Sequence, residues 1–368
     1  MTVDRREMLG AMSALTMAAV AGEAGSATEV RVKKPSRKIA TEEACSIPEV
    51  AQGLSDVART TWSNLDMKLV GRIYNAPADR PPPFLADLLD IDAGRLKLMD
   101  EHGVDMHILS LTAPGVQMFD ADTGTALATL ANDRIAEAVR RHPTRFAGLA
   151  TFAPQDPARA VKEMQRAIGT LKLNGFIINS HTNNEYLDQQ KFWPILEAAE
   201  ALDAAIYIHP RAPSDGMAAP FRDYNSEGAV WGYGMETGTH AVRLMLSGVF
   251  DRFPKLRIVL GHMGEAVPFW LWRLDFMGNP RWGTRPNQLT PSEYFKRNFA
   301  ITTSGVEDHL ALRYCIDRIG VDNVMWAIDH PYQPTPPAVA FIDTAPIPEA
   351  DKEKVAHANA ARIFHIAS

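Results

Sequence analysis

Four side chains able to bind a cation or carry a proton, Glu42, His209, His262 and Asp329, each close a short apolar run of the chain, and a further histidine, His181, stands just beyond another. Taken singly, a polar residue at a strand end is more often a hydrogen-bonded structural group than a ligand. Taken together the set points to a site, because in a barrel of parallel strands the carboxyl ends converge on one face. His102, His142, His240, His309, His357 and His365 fall in helical or loop sequence and are read as structural. Glu42, His209 and Asp329 would combine one imidazole with two carboxylates, a harder donor set than the paired histidines of many zinc enzymes. That set suits one divalent ion, Mn²⁺ before Zn²⁺. His262 lies in Gly261-His262-Met263-Gly264-Glu265, where two glycines permit a tight strand-to-helix turn and close approach of a substrate. Arg273, two helical turns past Glu265, is a candidate for an anion clamp or for a salt bridge to Glu265.

Residues at strand ends require strands. Eight runs qualify: Arg37 to Glu43, Met106 to Ser110, Phe146 to Thr151, Gly175 to Asn179, Ala205 to His209, Arg257 to Gly261, Phe299 to Thr302 and Val324 to Ile328. Amphipathic stretches separate them. In Thr123 to Arg141, for example, Leu127, Leu130, Ile135, Ala138 and Val139 recur near helical spacing, and Pro157 to Gly169 and Phe192 to Leu202 read alike. This alternation predicts a single (β/α)₈ barrel of the TIM type. Two connections are long, Ile47 to Leu89 after the first strand and Arg211 to Gly238 after the fifth. They are expected to be lids, binding loops or subunit contacts. Trp231, Tyr233, Phe269, Trp270 and Trp272 are candidates for aromatic pocket walls, with core packing the even alternative.

The 368 residues are 46% hydrophobic and 22% charged, with a net charge of -6, so no broad basic field exists to attract nucleic acid. A small substrate is expected instead. Arg5-Arg6, a mildly apolar run to Val20 and the small residues Gly25-Ser26-Ala27 form the pattern of a twin-arginine signal. The reading is a signal peptide over residues 1–27, too short and weakly apolar to span a membrane comfortably, with a periplasmic barrel over 28–368. A chance arginine pair on an N-terminal extension would instead leave the chain in the cytoplasm. Cys45 and Cys315 lack zinc-knuckle spacing, and a buried thiol at Cys45 is favoured over a disulfide.

The motifs Ile39-Ala40-Thr41-Glu42-Glu43-Ala44, Ala113 to Gln117, Ile178 to Thr182, Tyr207-Ile208-His209-Pro210, Gly261 to Glu265 and Asp329 to Gln333 resemble the amidohydrolase superfamily in its aromatic acid decarboxylase branch. The resemblance runs from about Lys38 to the C-terminus. It is nearest to the 5-carboxyvanillate decarboxylases and more distant from the γ-resorcylate and 2,3-dihydroxybenzoate decarboxylases. It implies Glu42, His209 and Asp329 as metal ligands, and His181 and His262 in the substrate pocket. It also implies Arg80, reaching a substrate carboxylate from a neighbouring subunit, and Tyr332 beside the substrate. A homodimer or homotetramer follows, with twofold symmetry the default. Hydrolytic members carry a His-x-His pair on the first strand, where this chain has Glu42 and Ala44. His330 replaces the usual Tyr or Trp after the aspartate, leaving that part of the pocket wall open.

The reaction so implied is non-oxidative decarboxylation of a hydroxyaromatic acid, with an ortho phenolate feeding electrons into the ring while an acid protonates the carbon that bears the carboxylate. Asp329, raised in pKa by burial, is the expected acid, and His262 supported by Glu265 would move the phenol proton. The rival is a metal-dependent hydrolase of a lactone, ester or amide on the same barrel, which fold alone does not exclude. A non-catalytic binding protein is the weaker rival, because the ligand set is complete.

Overall fold

The computed structural model describes residues 33–60, 64–75, 82–278 and 287–367. The expected signal peptide over 1–27 and Arg80 lie outside the described residues. Eight strands stand side by side in chain order, each parallel to the next: β1 (Ile39–Cys45), β2 (Met106–Leu111), β3 (Phe146–Thr151), β4 (Gly175–Asn179), β5 (Ile206–His209), β6 (Ile258–Leu260), β7 (Phe299–Thr302) and β8 (Val324–Met325). With helices between them, they form the nearly closed TIM-like barrel that the alternation predicts.

Strand alternation splits the core into two layers. Ile39, Ile108, Leu149, Ile177, Val259 and Ala300 face the axis and pack with Ile363 and Phe364 near the C-terminus. Leu109, Phe176, Ile208, Leu260 and Ile301 face outward, beneath helices that include Ala121–Arg141, Pro157–Gly169 and Gly232–Leu246. Each large apolar side chain so buried contributes about 1.5–3 kcal/mol. Helix starts follow local chemistry: Asp120 accepts from the N–H groups of Asp122 and Thr123, and Asp156 from that of Arg159.

Three features depart from the sequence reading. The long connection after β1 is helical, folded into Pro48–Thr60, Leu65–Tyr74 and Pro83–Leu89, and the one after β5 carries Asp215–Ala218 and the start of Gly232–Leu246. The insertion after β1 buries Val50, Leu54, Val70 and Leu85 in a satellite core, which a structureless loop would have left wet. β8 stops at Met325 rather than Ile328, because the N–H of Trp326 leaves the ladder for the carbonyl of Val355 at 2.8 Å. Within β1 the register slips: Ala40 opposes His107 but Glu43 opposes Leu109. The extra residue is a bulge, and it turns Glu42 toward the barrel axis and Glu43 away from it.

Candidate active site

The uppermost axis-facing layer of the barrel is polar where the layers beneath are apolar. On β5 the two-residue period that points Tyr207 inward does the same for His209, and on β7 it brings Thr302 to the same level. Glu42 joins them through the bulge. Its Oε2 accepts from the hydroxyls of Tyr207 and Ser304 in close hydrogen bonds and from that of Thr302 at 3.1 Å. Its Oε1 is buried and has no hydrogen-bond partner among the described residues. Gly261 is what allows this packing, since a Cβ there would stand 2.8 Å from Glu42 Oε2.

His209 donates from Nδ1 to the carbonyl of Pro210 at 2.7 Å, which leaves a lone pair on Nε2, 3.4 Å from Glu42 Oε1. Asp329 follows β8 with a left-handed backbone, φ 75°, and its Oδ1 is likewise buried without a partner. One ligand atom from each of Glu42, His209 and Asp329 lies within 4.8 Å of the others. Two orphaned carboxylate oxygens and a free imidazole nitrogen, turned toward one another in a buried site, would be strongly unfavourable alone. A divalent cation satisfies all three and balances both negative charges, so these residues fit the metal. Ala44, two residues past Glu42, offers no side-chain donor, and the donor set stays one nitrogen and two carboxylates.

His262 sits across from this set. Its Nδ1 bonds Glu265 Oε1 at 2.8 Å, and its Nε2 is 3.7 Å from Asp329 Oδ2 and 3.9 Å from Glu42 Oε1. Burial opposes the imidazolium, but the carboxylates of Glu265 and Glu42, with Asp329 close by, outweigh it and hold His262 well above the usual histidine range. Burial, reinforced by the Glu42 charge, pushes the Asp329 carboxyl up to about 6 against the pull of His262 and His209. Glu42 goes the other way: burial is outweighed by His262, His209 and its hydroxyl donors, and it stays below the ordinary carboxylate value. Two carboxylates in one site thus differ in function by environment, one fixed as an anion and the other able to carry a proton.

The other expected site residues divide. Tyr332 is beside the site, its hydroxyl 2.6 Å from that of Thr112, and burial raises it to about 12. Above lie Tyr233 and Tyr74; the Tyr74 hydroxyl is buried without a partner among the described residues. His181 lines a cleft of about 270 Å³ with Asp66, Gln117 and Arg211. Both its ring nitrogens bond main chain, Nε2 to the Ala212 carbonyl at 3.1 Å and Nδ1 to the Asn184 N–H at 3.2 Å, so it shapes the wall rather than offering a free donor. Arg273 is a correction. His262, Met263, Gly264, Glu265 and Ala266 all have positive φ and the helix starts only at Val267, so the helical spacing from Glu265 to Arg273 does not apply. Arg273 is exposed and pairs with no carboxylate among the described residues. His330 turns away from the metal set, lining a separate cleft with Arg95 and lying beside the His107 ring.

Of the five aromatic candidates only Tyr233 is near the site; Trp231, Phe269, Trp270 and Trp272 are exposed, Phe269 by 68%. Both cysteines are buried and free. Sequence reading passed over Tyr207, Thr302 and Ser304, although Tyr207 is two residues before His209 and so was bound to share its face, and the hydroxyl run Thr302-Thr303-Ser304 closes β7.

Comparison with known proteins gives a consistent picture. The model of the amidohydrolase family matches residues 80–366. The γ-resorcylate decarboxylase of a Polaromonas species is 37% identical over 301 residues, 77% of this chain and 90% of that protein. The crystal structure of 5-carboxyvanillate decarboxylase from Sphingomonas paucimobilis is 60% identical, with a TM-score of 0.87 over 90% of this chain and 99% of that one. The enzyme of that name from Novosphingobium aromaticivorans, solved with manganese and 3-methoxy-4-hydroxy-5-nitrobenzoic acid, is 38% identical, with a TM-score of 0.86 over 89% and 97% of the two chains.

Proposed function

We propose, since the chain belongs to the amidohydrolase family, that it is a manganese-dependent carboxy-lyase, removing CO₂ from an aromatic acid with a hydroxyl ortho to the carboxylate. The observation that carries this reading is the mononuclear set Glu42, His209 and Asp329, with alanine at position 44. Substrates of the 5-carboxyvanillate type are favoured by the relatives at 60% and 38% identity.

Bound between these three residues, the ion supplies positive charge and a template for the phenolate and carboxylate oxygens. The remaining work belongs to the protein. Glu42 stays anionic through the charges of His262 and His209, helped by the Ser304 and Tyr207 hydroxyls that donate to it. Asp329, raised toward neutrality, delivers a proton to the ring carbon, the bond to the carboxylate breaks, and CO₂ leaves as aromaticity returns. His262, oriented by Glu265 and 3.7 Å from Asp329 Oδ2, exchanges protons with Asp329 and with the phenol. Tyr332 and the wall bearing His181 confine the ring.

A panel of ortho-hydroxybenzoates incubated with the Mn²⁺-loaded protein, with CO₂ followed, tests the reaction; hydrolysis of lactones or aryl amides with no CO₂ from any acid would overturn it. We also infer a homo-oligomer, supported by the exposed aromatic row Phe269, Trp270, Trp272 and Phe276 on helix Val267–Met277, because patches of that kind mark interaction surfaces. A single-chain mass by light scattering would refute it. Export by the twin-arginine route, proposed from Arg5-Arg6, is checked by fractionation: loss of periplasmic protein in the R5K/R6K double variant is the expected outcome.

A further inference from the structure

β8 leaves its ladder at Met325, before the chain reaches Asp329, and β1 does not pair with it. The polar ties across that seam come largely from β1 side chains. Thr41 Oγ1 donates to the Trp326 carbonyl at 2.9 Å. Glu43 makes a more specific contact: one carboxylate oxygen accepts the N–H of Ile328 at 3.0 Å and the other accepts the N–H of His330 at 3.2 Å. Those two residues flank Asp329, whose φ of 75° is unusual for a residue with a side chain. The peptide planes on either side of a residue set the direction of its Cα–Cβ bond. Holding both N–H groups on one buried carboxyl group therefore aims the Asp329 side chain.

Glu43 also lies 4.0 Å through Oε2 from His107 Nδ1, and burial pushes its carboxyl up to about 8 against the pull of the two N–H groups and Arg95. It is fully buried on the face of β1 opposite to Glu42, and the neighbouring Ala44 carbonyl is anchored by Arg95 at 2.7 Å. Two convergent N–H groups need an oxygen on each arm of one plane, which a carboxyl group supplies; an amide would set its own N–H₂ against one of them. We propose that Glu43 is the positioning residue for Asp329, fixing where its carboxyl stands relative to His209 and His262 and so controlling cation affinity and proton delivery. The proton-delivery half rests on the decarboxylase reading above, whereas the cation half does not.

The test compares wild type, Glu43→Gln and the seam control Thr41→Val. Mn²⁺ affinity is read by magnetic resonance of free Mn²⁺ during titration of the metal-free protein, alongside kcat, KM and melting temperature. For Glu43→Gln we expect Mn²⁺ binding weakened about tenfold or more and kcat at saturating Mn²⁺ lowered about tenfold or more, with KM within about threefold, the scale on which second partners of metal ligands act. Thr41→Val should lower the melting temperature while Mn²⁺ affinity and kcat stay within about twofold, since losing one buried hydrogen bond acts on stability. Unchanged Mn²⁺ affinity and kcat in Glu43→Gln would overturn the assignment, and so would equal losses in both variants, which would mark general loosening of the seam. If the glutamine variant does not fold, Glu43→Asp, with the same charge but a shorter reach, is read in its place under the same criteria. Should wild type release CO₂ from no acid, the reaction assignment fails while the Mn²⁺ titration still decides the role of Glu43.

Discussion

Glu42 and His209 differ from His262 and Asp329 in what holds them in place. The first pair stands on strand backbone, and its orientation comes from the pleat, the β1 bulge and a cluster of hydroxyls. The second pair stands on left-handed backbone, φ 49° at His262 and 75° at Asp329, beyond the ends of β6 and β8. Residues so placed cost on the order of 1–3 kcal/mol each and persist only where their surroundings over-determine them. Here the surroundings are side chains: Ser304 receives the His262 N–H at 3.0 Å, Glu265 holds its ring, and Glu43 holds both flanks of Asp329. On the proposed reading, a rigid wall for the cation faces a wall for proton transfer that depends more on its neighbours, with Asp329 belonging to both.

Variants on the two walls should separate these duties. Asp329→Asn removes the acid and should lower kcat about 10³-fold; CO₂ release at wild-type rate with the metal still bound would break the assignment. Glu42→Gln acts on the cation wall and should weaken Mn²⁺ by more than about 100-fold, beyond what outer partners of a ligand contribute. Calorimetric titration with Mn²⁺ reads it directly. Glu265→Gln acts on the proton wall alone, with kcat falling about 10–100-fold while Mn²⁺ affinity changes little. A parallel loss of Mn²⁺ in that variant would show that the walls are not separable. Tyr207→Phe, taking one of three hydroxyls from Glu42, should weaken Mn²⁺ about tenfold.

The smallest effect concerns stability behind the strand-borne wall. Burial, with His181 and Arg243 adding to it, pushes His240 down to about 3, and burial pushes His181 down to about 4. Unfolded histidines take a proton near 6.5. Below that pH the unfolded chain binds protons that these two native histidines refuse, so the stability they contribute is complete above about 6.5 and declines as pH falls toward about 3. His240→Asn should lose less melting temperature than wild type between about pH 6.5 and about pH 3, values set by the unfolded and folded histidine; an equal loss in both would show that His240 does not contribute.

Much of this molecule is legible in the chain because its information is local. The alternation of apolar runs and amphipathic stretches specified a parallel barrel, since strand and helix periods depend only on near neighbours. The residues at the strand ends then had nowhere to converge but one face, which is why Glu42, His209, His262 and Asp329 could be grouped before any coordinates. Tyr207 was legible in the same way, by parity with His209.

Other features depend on contacts between distant segments. The bulge that turns Glu42 inward exists because β1 and β2 pair out of step, and no spacing within Ile39–Cys45 declares it. Arg273 was misplaced because helical spacing was carried through five residues whose backbone is left-handed. His330 faces away from the site because its N–H and carbonyl are taken by Glu43 and Ala44 across the seam. Residue types and order were enough to choose the fold, the donors and the class of chemistry. Which face each donor turns to, which oxygen stays free for a cation and which carboxyl can keep a proton depend on burial and hydrogen bonds between residues hundreds of positions apart, and those come into being only when the barrel closes.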